Sequence, residues 1–154
     1  MKKTIGILCT TAAAALSVTA AATGSPQSAA ACVAGVKKIN GATARTFCGP
    51  AKARVQVNGK TITYKGGECS KSAFGWSINI GTVVIGTAPK KPDYFGIAAR
   101  PKAGSQRDGA ATLVHLGKGL SALGTTTLKP GLKSGTFTGK VFGEPTRVTA
   151  SFTC

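Results

Sequence analysis

The sequence is poor in the side chains that catalysis draws on. It holds one histidine, His115, and four carboxylates, Glu68, Asp93, Asp108 and Glu144, against 20 lysines and arginines. Structural zinc sites are built from thiolates and imidazoles, typically with closely spaced cysteine pairs. The chain has no C-x-x-C pair, so no metal site is expected. It has no G-x-S-x-G nucleophile elbow either, because Gly119-Leu-Ser121-Ala-Leu-Gly124 has the wrong spacing. Lys133-Ser134-Gly135 imitates a K-T-G element, but no S-x-x-K accompanies it. A Ser-His-Asp triad would have to join His115 to Asp93 or Asp108, and His115 alternates with Leu113 as a sheet residue does. Glycoside hydrolysis needs two carboxylates at a set separation, and the four acids are scattered. The expectation is a non-enzyme with no catalytic residues and no cofactor. An envelope-acting hydrolase working through His115 is the alternative.

Aromatic residues and apolar runs are also sparse. Six Phe, two Tyr and one Trp occur, without the aromatic–basic interleaving that stacks bases. No specific nucleic-acid partner is therefore expected. Past residue 22 nothing approaches the run of about 20 apolar residues that a membrane helix needs. No later stretch has helical periodicity, and the sequence names no oligomeric interface.

What is present begins with a leader. Lys2 and Lys3, an uncharged Ala- and Leu-rich segment over 5–22, a polar stretch and Ala29-Ala30-Ala31 follow the order of a secretory signal peptide. Residues 1–31 are read as that signal, 32–50 as an irregular N-terminal arm closed by a disulfide, and 51–154 as a β domain. The expected location is extracellular or on the cell wall. Without Lys2 and Lys3 the chain keeps 18 basic residues against all four acids, a formal charge of +14. The charge is dispersed, with Lys37-Lys38 and Lys90-Lys91 the largest clusters. A one-signed surface keeps a protein soluble and attracts polyanions. Outside a cell those are anionic envelope polymers or lipids.

Cys9 falls inside the signal, leaving Cys32, Cys48, Cys69 and Cys154. An even number in a small secreted chain reads as two disulfides, with three connectivities open. The favoured pairing is Cys32–Cys48, closing a short loop, and Cys69–Cys154, tying a hairpin to the C-terminus.

That hairpin is the strongest local signal. Asn58-Gly59 separates two alternating runs, and both central residues of a type I′ turn need positive φ. A two-residue loop sets Val55 opposite Ile62 and Ala53 opposite Tyr64, with one face inward. Phe74, Trp76, Ile78 and Ile80 recur at period 2 and predict a half-buried strand, with Trp76 its core anchor. Residues 88–93 form a connection, since two prolines remove donors. Residues 94–99 read as a strand, 101–108 as a polar loop, 110–116 as a strand and 120–128 as another. Residues 136–141 and 147–153 form a second hairpin, and Val148, Ala150, Phe152 and Cys154 share its inner face. The fold class is all-β: a small antiparallel β-sandwich or partly open barrel, tied by disulfides. Phe74, Trp76 and Tyr94 either fill the core or line a lipid or glycan pocket.

Val57-Asn-Gly-Lys60, Cys69, Ile78-Asn-Ile-Gly81, Gly96-Ile-Ala-Ala99 and the terminal Ser151-Phe-Thr-Cys154 occur in an order that resembles the mycobacterial lipoprotein antigen family (LpqH-like), over roughly residues 55–154. The resemblance implies a small exported β domain on an actinobacterial envelope, with a surface, immunogenic role and no assigned enzymatic activity. It also implies one disulfide, which falls on Cys69 and Cys154. Family members carry lipid on a cysteine after the signal. The corresponding residue is Cys32, so a lipid-anchored protein on the outer membrane face is the alternative to soluble secretion. The Ala29-Ala30-Ala31 that precedes Cys32 departs from a lipobox, and lipid there would leave Cys48 unpaired.

Overall fold

The computed structural model describes residues 32–39, 41–87 and 90–154. The expected signal segment 1–31 lies outside the described residues, as do Asn40 of the first turn and Ala88 and Pro89 of the connection before Tyr94.

Asn58 and Gly59 take φ of 50° and 71°, the paired positive values that a type I′ turn requires. They join β3 (Ala51–Val57) to β4 (Lys60–Lys71), and Val55 faces Ile62 while Ala53 faces Tyr64, as the alternation predicts. β5 (Trp76–Ile85), β6 (Tyr94–Ala99), β7 (Gly104–His115), β8 (Lys118–Leu128), β9 (Ser134–Val141) and β10 (Arg147–Thr153) follow, all antiparallel. β10 pairs with β3 along one edge and β9 along the other. β5 pairs with β4 and also with β6, from Trp76↔Ala99 to Gly81↔Tyr94. That second pairing closes the eight strands β3–β10 into a ring. Of the two architectures the sequence allows, the chain adopts the barrel, and it is closed.

An eight-stranded barrel is about wide enough for side chains to fill its interior. Here Tyr64 stacks on Phe95 at 5.5 Å between ring centroids, and its hydroxyl crosses to the Val114 carbonyl at 3.1 Å. Trp76 packs on Phe152 at 5.3 Å and donates its indole N–H to the Leu132 carbonyl at 3.0 Å. Val55, Ile78, Ile97, Leu113, Phe137 and Val148 fill the space between them, all buried. On β3, β4, β9 and β10 the lysines, arginines and hydroxyl side chains alternate with the buried positions and face outward. No described helix is long and apolar enough to cross a membrane.

Both disulfides form in the favoured pairing, Cys32–Cys48 and Cys69–Cys154. The second spans 85 residues and lies at the end of the barrel where Trp76 and Leu132 sit. There the Cys154 N–H also donates to the Lys133 carbonyl at 2.8 Å.

Four expectations need correction. The arm over 32–50 is not irregular: it contains the hairpin β1 (Gly35–Ile39) and β2 (Ala42–Phe47). The cause is a bulge at Gly66 (φ 82°), where the β3–β4 register shifts. Below it β4 pairs with Trp76–Ile80 only, and β2 takes the edge of β5 that β4 leaves, pairing with residues 81–85. Backbone groups left unpaired on that edge would otherwise go unsatisfied. Second, residues 104–108 are strand rather than loop. The Gln106 side chain holds this entry by bonding the Arg100 N–H and carbonyl and the Lys102 carbonyl, and a second bulge follows between Gln106 and Gly109. Third, the fifth strand begins at Trp76, because Ser72 Oγ accepts the Phe74 and Gly75 N–H groups and makes a turn there. Fourth, β7 ends at His115, and Leu116 belongs to the turn.

The second bulge leaves one buried defect. Thr126 is fully buried and its Oγ1 has no hydrogen-bond partner. A side chain at Gly109 would meet that oxygen. An unpaired buried hydroxyl costs roughly 1–3 kcal/mol, and valine has nearly the same shape. Thr126→Val is expected to raise the free energy of unfolding in urea by about 1 kcal/mol. A loss of stability would show that the hydroxyl is satisfied.

Candidate functional site

The three aromatic residues singled out as pocket-lining do not come together around one cavity. Trp76 is in the barrel core, 3% exposed. Phe74 stands out at 98% exposure on the β4–β5 turn and borders, with Trp76, a shallow open depression. Tyr94 lies on the outer wall, where its ring is 6.1 Å from Phe47 and its hydroxyl donates to Asn79 Oδ1 at 2.7 Å. Cys32 is bonded to Cys48, which leaves its sulfur no valence for a thioether lipid.

His115 and Asp93 do meet: Nδ1 lies 3.0 Å from Oδ2, while Oδ1 accepts the Leu116 N–H at 3.0 Å. The carboxylate therefore clamps the β7–β8 turn. No Ser or Thr hydroxyl is bonded to His115 among the described residues. No group of three or more His, Cys, Asp or Glu among them is placed to share a metal ion. Burial, and after it the Asp93 charge, push the Tyr64 phenol up to about 12. Burial also raises Tyr94, opposed by Arg45. A phenol with a higher pKa folded than unfolded contributes stability that is complete below about pH 10 and is lost as pH rises towards 12. Unfolding free energy is expected to be flat up to about pH 9, then to fall by on the order of 2 kcal/mol. Tyr64→Phe should flatten much of that alkaline decline in a pH series of denaturant melts.

The most distinctive surface is the outer wall of β4, β3, β10 and β9. The inner faces of these strands hold Val55, Tyr64, Phe137 and Phe152, so alternation sends Lys52, Arg54, Lys65, Lys140, Arg147 and a set of hydroxyls outward. Register lines them up across the sheet. One row runs Thr63, Arg54, Ser151, Thr136, and the next runs Thr61, Gln56, Thr149, Thr138. Lys52 stands directly opposite Lys65, and Lys140 directly opposite Arg147. Like charges facing across strands destabilise a sheet. No carboxylate relieves them: the ion pairs among the described residues are Arg45–Glu68, Arg100–Asp108 and His115–Asp93, all elsewhere. Glu144 sits in the β9–β10 loop and accepts from Thr146 Oγ1. Lys52, Arg54, Lys65 and Lys129 border an open depression of about 440 Å³ with Thr63 and Ser151 on its walls.

The sequence reading found the charge but not this array. The signal was in the parity: once Val55 and Phe152 face inward, Lys52, Arg54, Thr149 and Ser151 must face outward. What alternation does not specify is that β10 lies beside β3. Neither a known family model, nor a curated protein, nor a solved structure matches this chain.

Proposed function

We propose that the protein is an exported binding module whose β4-β3-β10-β9 wall holds an anionic, hydroxyl-bearing envelope polymer such as a poly(glycerol phosphate). The carrying observation is the two pairs of facing like charges, Lys52 with Lys65 and Lys140 with Arg147, left without carboxylates on a surface lined besides by Arg54, Gln56 and a set of hydroxyls. A bound phosphodiester chain would neutralise those cations, and Thr and Ser would bond its polyol units. The depression on the wall is open rather than enclosed, which suits an extended polymer. Two disulfides are consistent with the oxidising compartment this reading needs. The resemblance over residues 55–154 to an envelope antigen family belongs to the same reading.

The test uses Lys65→Glu with Lys140→Glu. Each change turns a repulsive cross-strand pair into an ion pair, so thermal stability should hold or rise slightly. Affinity for soluble poly(glycerol phosphate) should fall at least about tenfold at low salt. A control, Lys37→Glu with Lys38→Glu on β1, removes the same charge elsewhere and should cost much less. Equal losses in the two variants would reduce the wall to general charge and sink the reading.

A further inference from the structure

The barrel strands run alternately up and down, so the β3–β4, β5–β6, β7–β8 and β9–β10 connections gather at one end, opposite the Cys69–Cys154 disulfide. Two large apolar side chains stand out there. Leu116 is 81% exposed and Phe142 is 79% exposed. Leu116 is also in the wrong backbone conformation for its type. With Gly117 it forms the β7–β8 turn at φ of 50° and 80°, matching Asn58-Gly59 at 50° and 71°. At this position a turn favours Asn or Gly, and a leucine held at positive φ is a strained choice. It also gains no burial in return. The strain is fixed in place by Asp93, whose carboxylate takes the Leu116 N–H and bonds His115. Strained, exposed positions that the surrounding structure holds rigidly are drawn from functional surfaces.

The surroundings indicate the partner. Lys60 follows the β3–β4 turn, Lys118 follows Gly117, and Lys90 and Lys91 lie in the β5–β6 connection, all exposed. The carboxylates at this end, Asp93 bonded to the turn and Glu144 to Thr146, are outnumbered by these four lysines. Apolar tips with cations on the loops around them match the chemistry of an anionic lipid surface: the side chains enter the headgroup–acyl boundary and the lysines meet the headgroup charges. We infer that this end of the barrel docks on anionic membrane, with Leu116 and Phe142 as the inserted side chains. The surface is separate from the polymer-binding wall and does not depend on it.

The test compares the wild-type protein with Leu116→Asn/Phe142→Ser in co-sedimentation with phosphatidylglycerol and phosphatidylcholine vesicles. Asn suits the turn conformation, so that change should keep or raise stability and cannot act by unfolding. Wild type is expected to bind phosphatidylglycerol vesicles and to prefer them to phosphatidylcholine. The variant should lose at least about tenfold in partitioning while its affinity for soluble poly(glycerol phosphate) is unchanged. Three results would overturn the inference. These are no vesicle binding by wild type, equal binding by the variant, or a concentration-dependent dimer that the two changes abolish, which would make a second copy the occupant. Failure of polymer binding with vesicle binding intact would count against the wall alone.

Discussion

Replacing Cys69 and Cys154 together by alanine is expected to lower the unfolding free energy by about 4 kcal/mol, on the chain-entropy account of a loop of 85 residues. Small domains are stable by about 5–15 kcal/mol in total, so this one bond separates a robust fold from a marginal one. The geometry adds to the entropy. Cys154 is the last residue after β10, and β10 is the strand that joins β3 to β9. Without the bond, the β10 ladder, the packing of Phe152 on Trp76 and the Cys154–Lys133 backbone contact hold the C-terminus. Denaturant unfolding of the double variant against the wild type, both without reductant so that Cys32–Cys48 stays intact, measures the loss. A change below about 1 kcal/mol would mean that ring closure holds the termini without help.

Trp76→Ala is expected to cost about 4 kcal/mol, at the upper end for core truncations. Trp76 is 3% exposed, packs on Phe152 and stops the barrel end beside Leu132. Its loss opens a cavity bordered by β5 and β10 and leaves the Leu132 carbonyl without its donor. Trp76→Phe separates these effects: it keeps much of the volume and loses the hydrogen bond, so its cost should be roughly half. Urea titrations of both variants, followed by circular dichroism because the single tryptophan is gone, decide this. Equal costs would place the weight on the hydrogen bond rather than on packing.

The parts of the fold legible in the sequence were those set by local rules. Asn58-Gly59 specified its turn and register, because few residues accept positive φ. The alternation through Val148, Ala150 and Phe152 specified which face of the last strand is buried, and so favoured Cys69–Cys154. Ring closure was not legible. It depends on β5 offering both edges, and nothing in Trp76–Ile85 distinguishes a strand with two partners from one with a single partner. The β1–β2 hairpin was missed for a related reason: Gly35–Ile39 is exposed along most of its length and lacks buried-face alternation. It exists as the neighbour of β2, which fills an edge created by the distant bulge at Gly66. The candidate site was half legible. Outward parity supplied its residues, while the pairing of β3 with β10 supplied their neighbours. The Leu116 turn violates the rule that makes Asn58-Gly59 readable, and for that reason its sequence resembles strand.

The proposed role of the wall rests on cations that face one another across the sheet without a carboxylate between them, an arrangement that a bound polyanion would relieve. Chemical-shift mapping tests that most directly. The uniformly labelled protein is titrated with soluble poly(glycerol phosphate) and backbone amide shifts are followed residue by residue. The predicted result is a contiguous footprint on β4, β3, β10 and β9, centred on Arg54, Lys65, Thr149 and Ser151. The residues 37–38 and the Phe74 turn should be unmoved. A footprint scattered over all basic residues, or one centred on the depression beside Phe74, would contradict it.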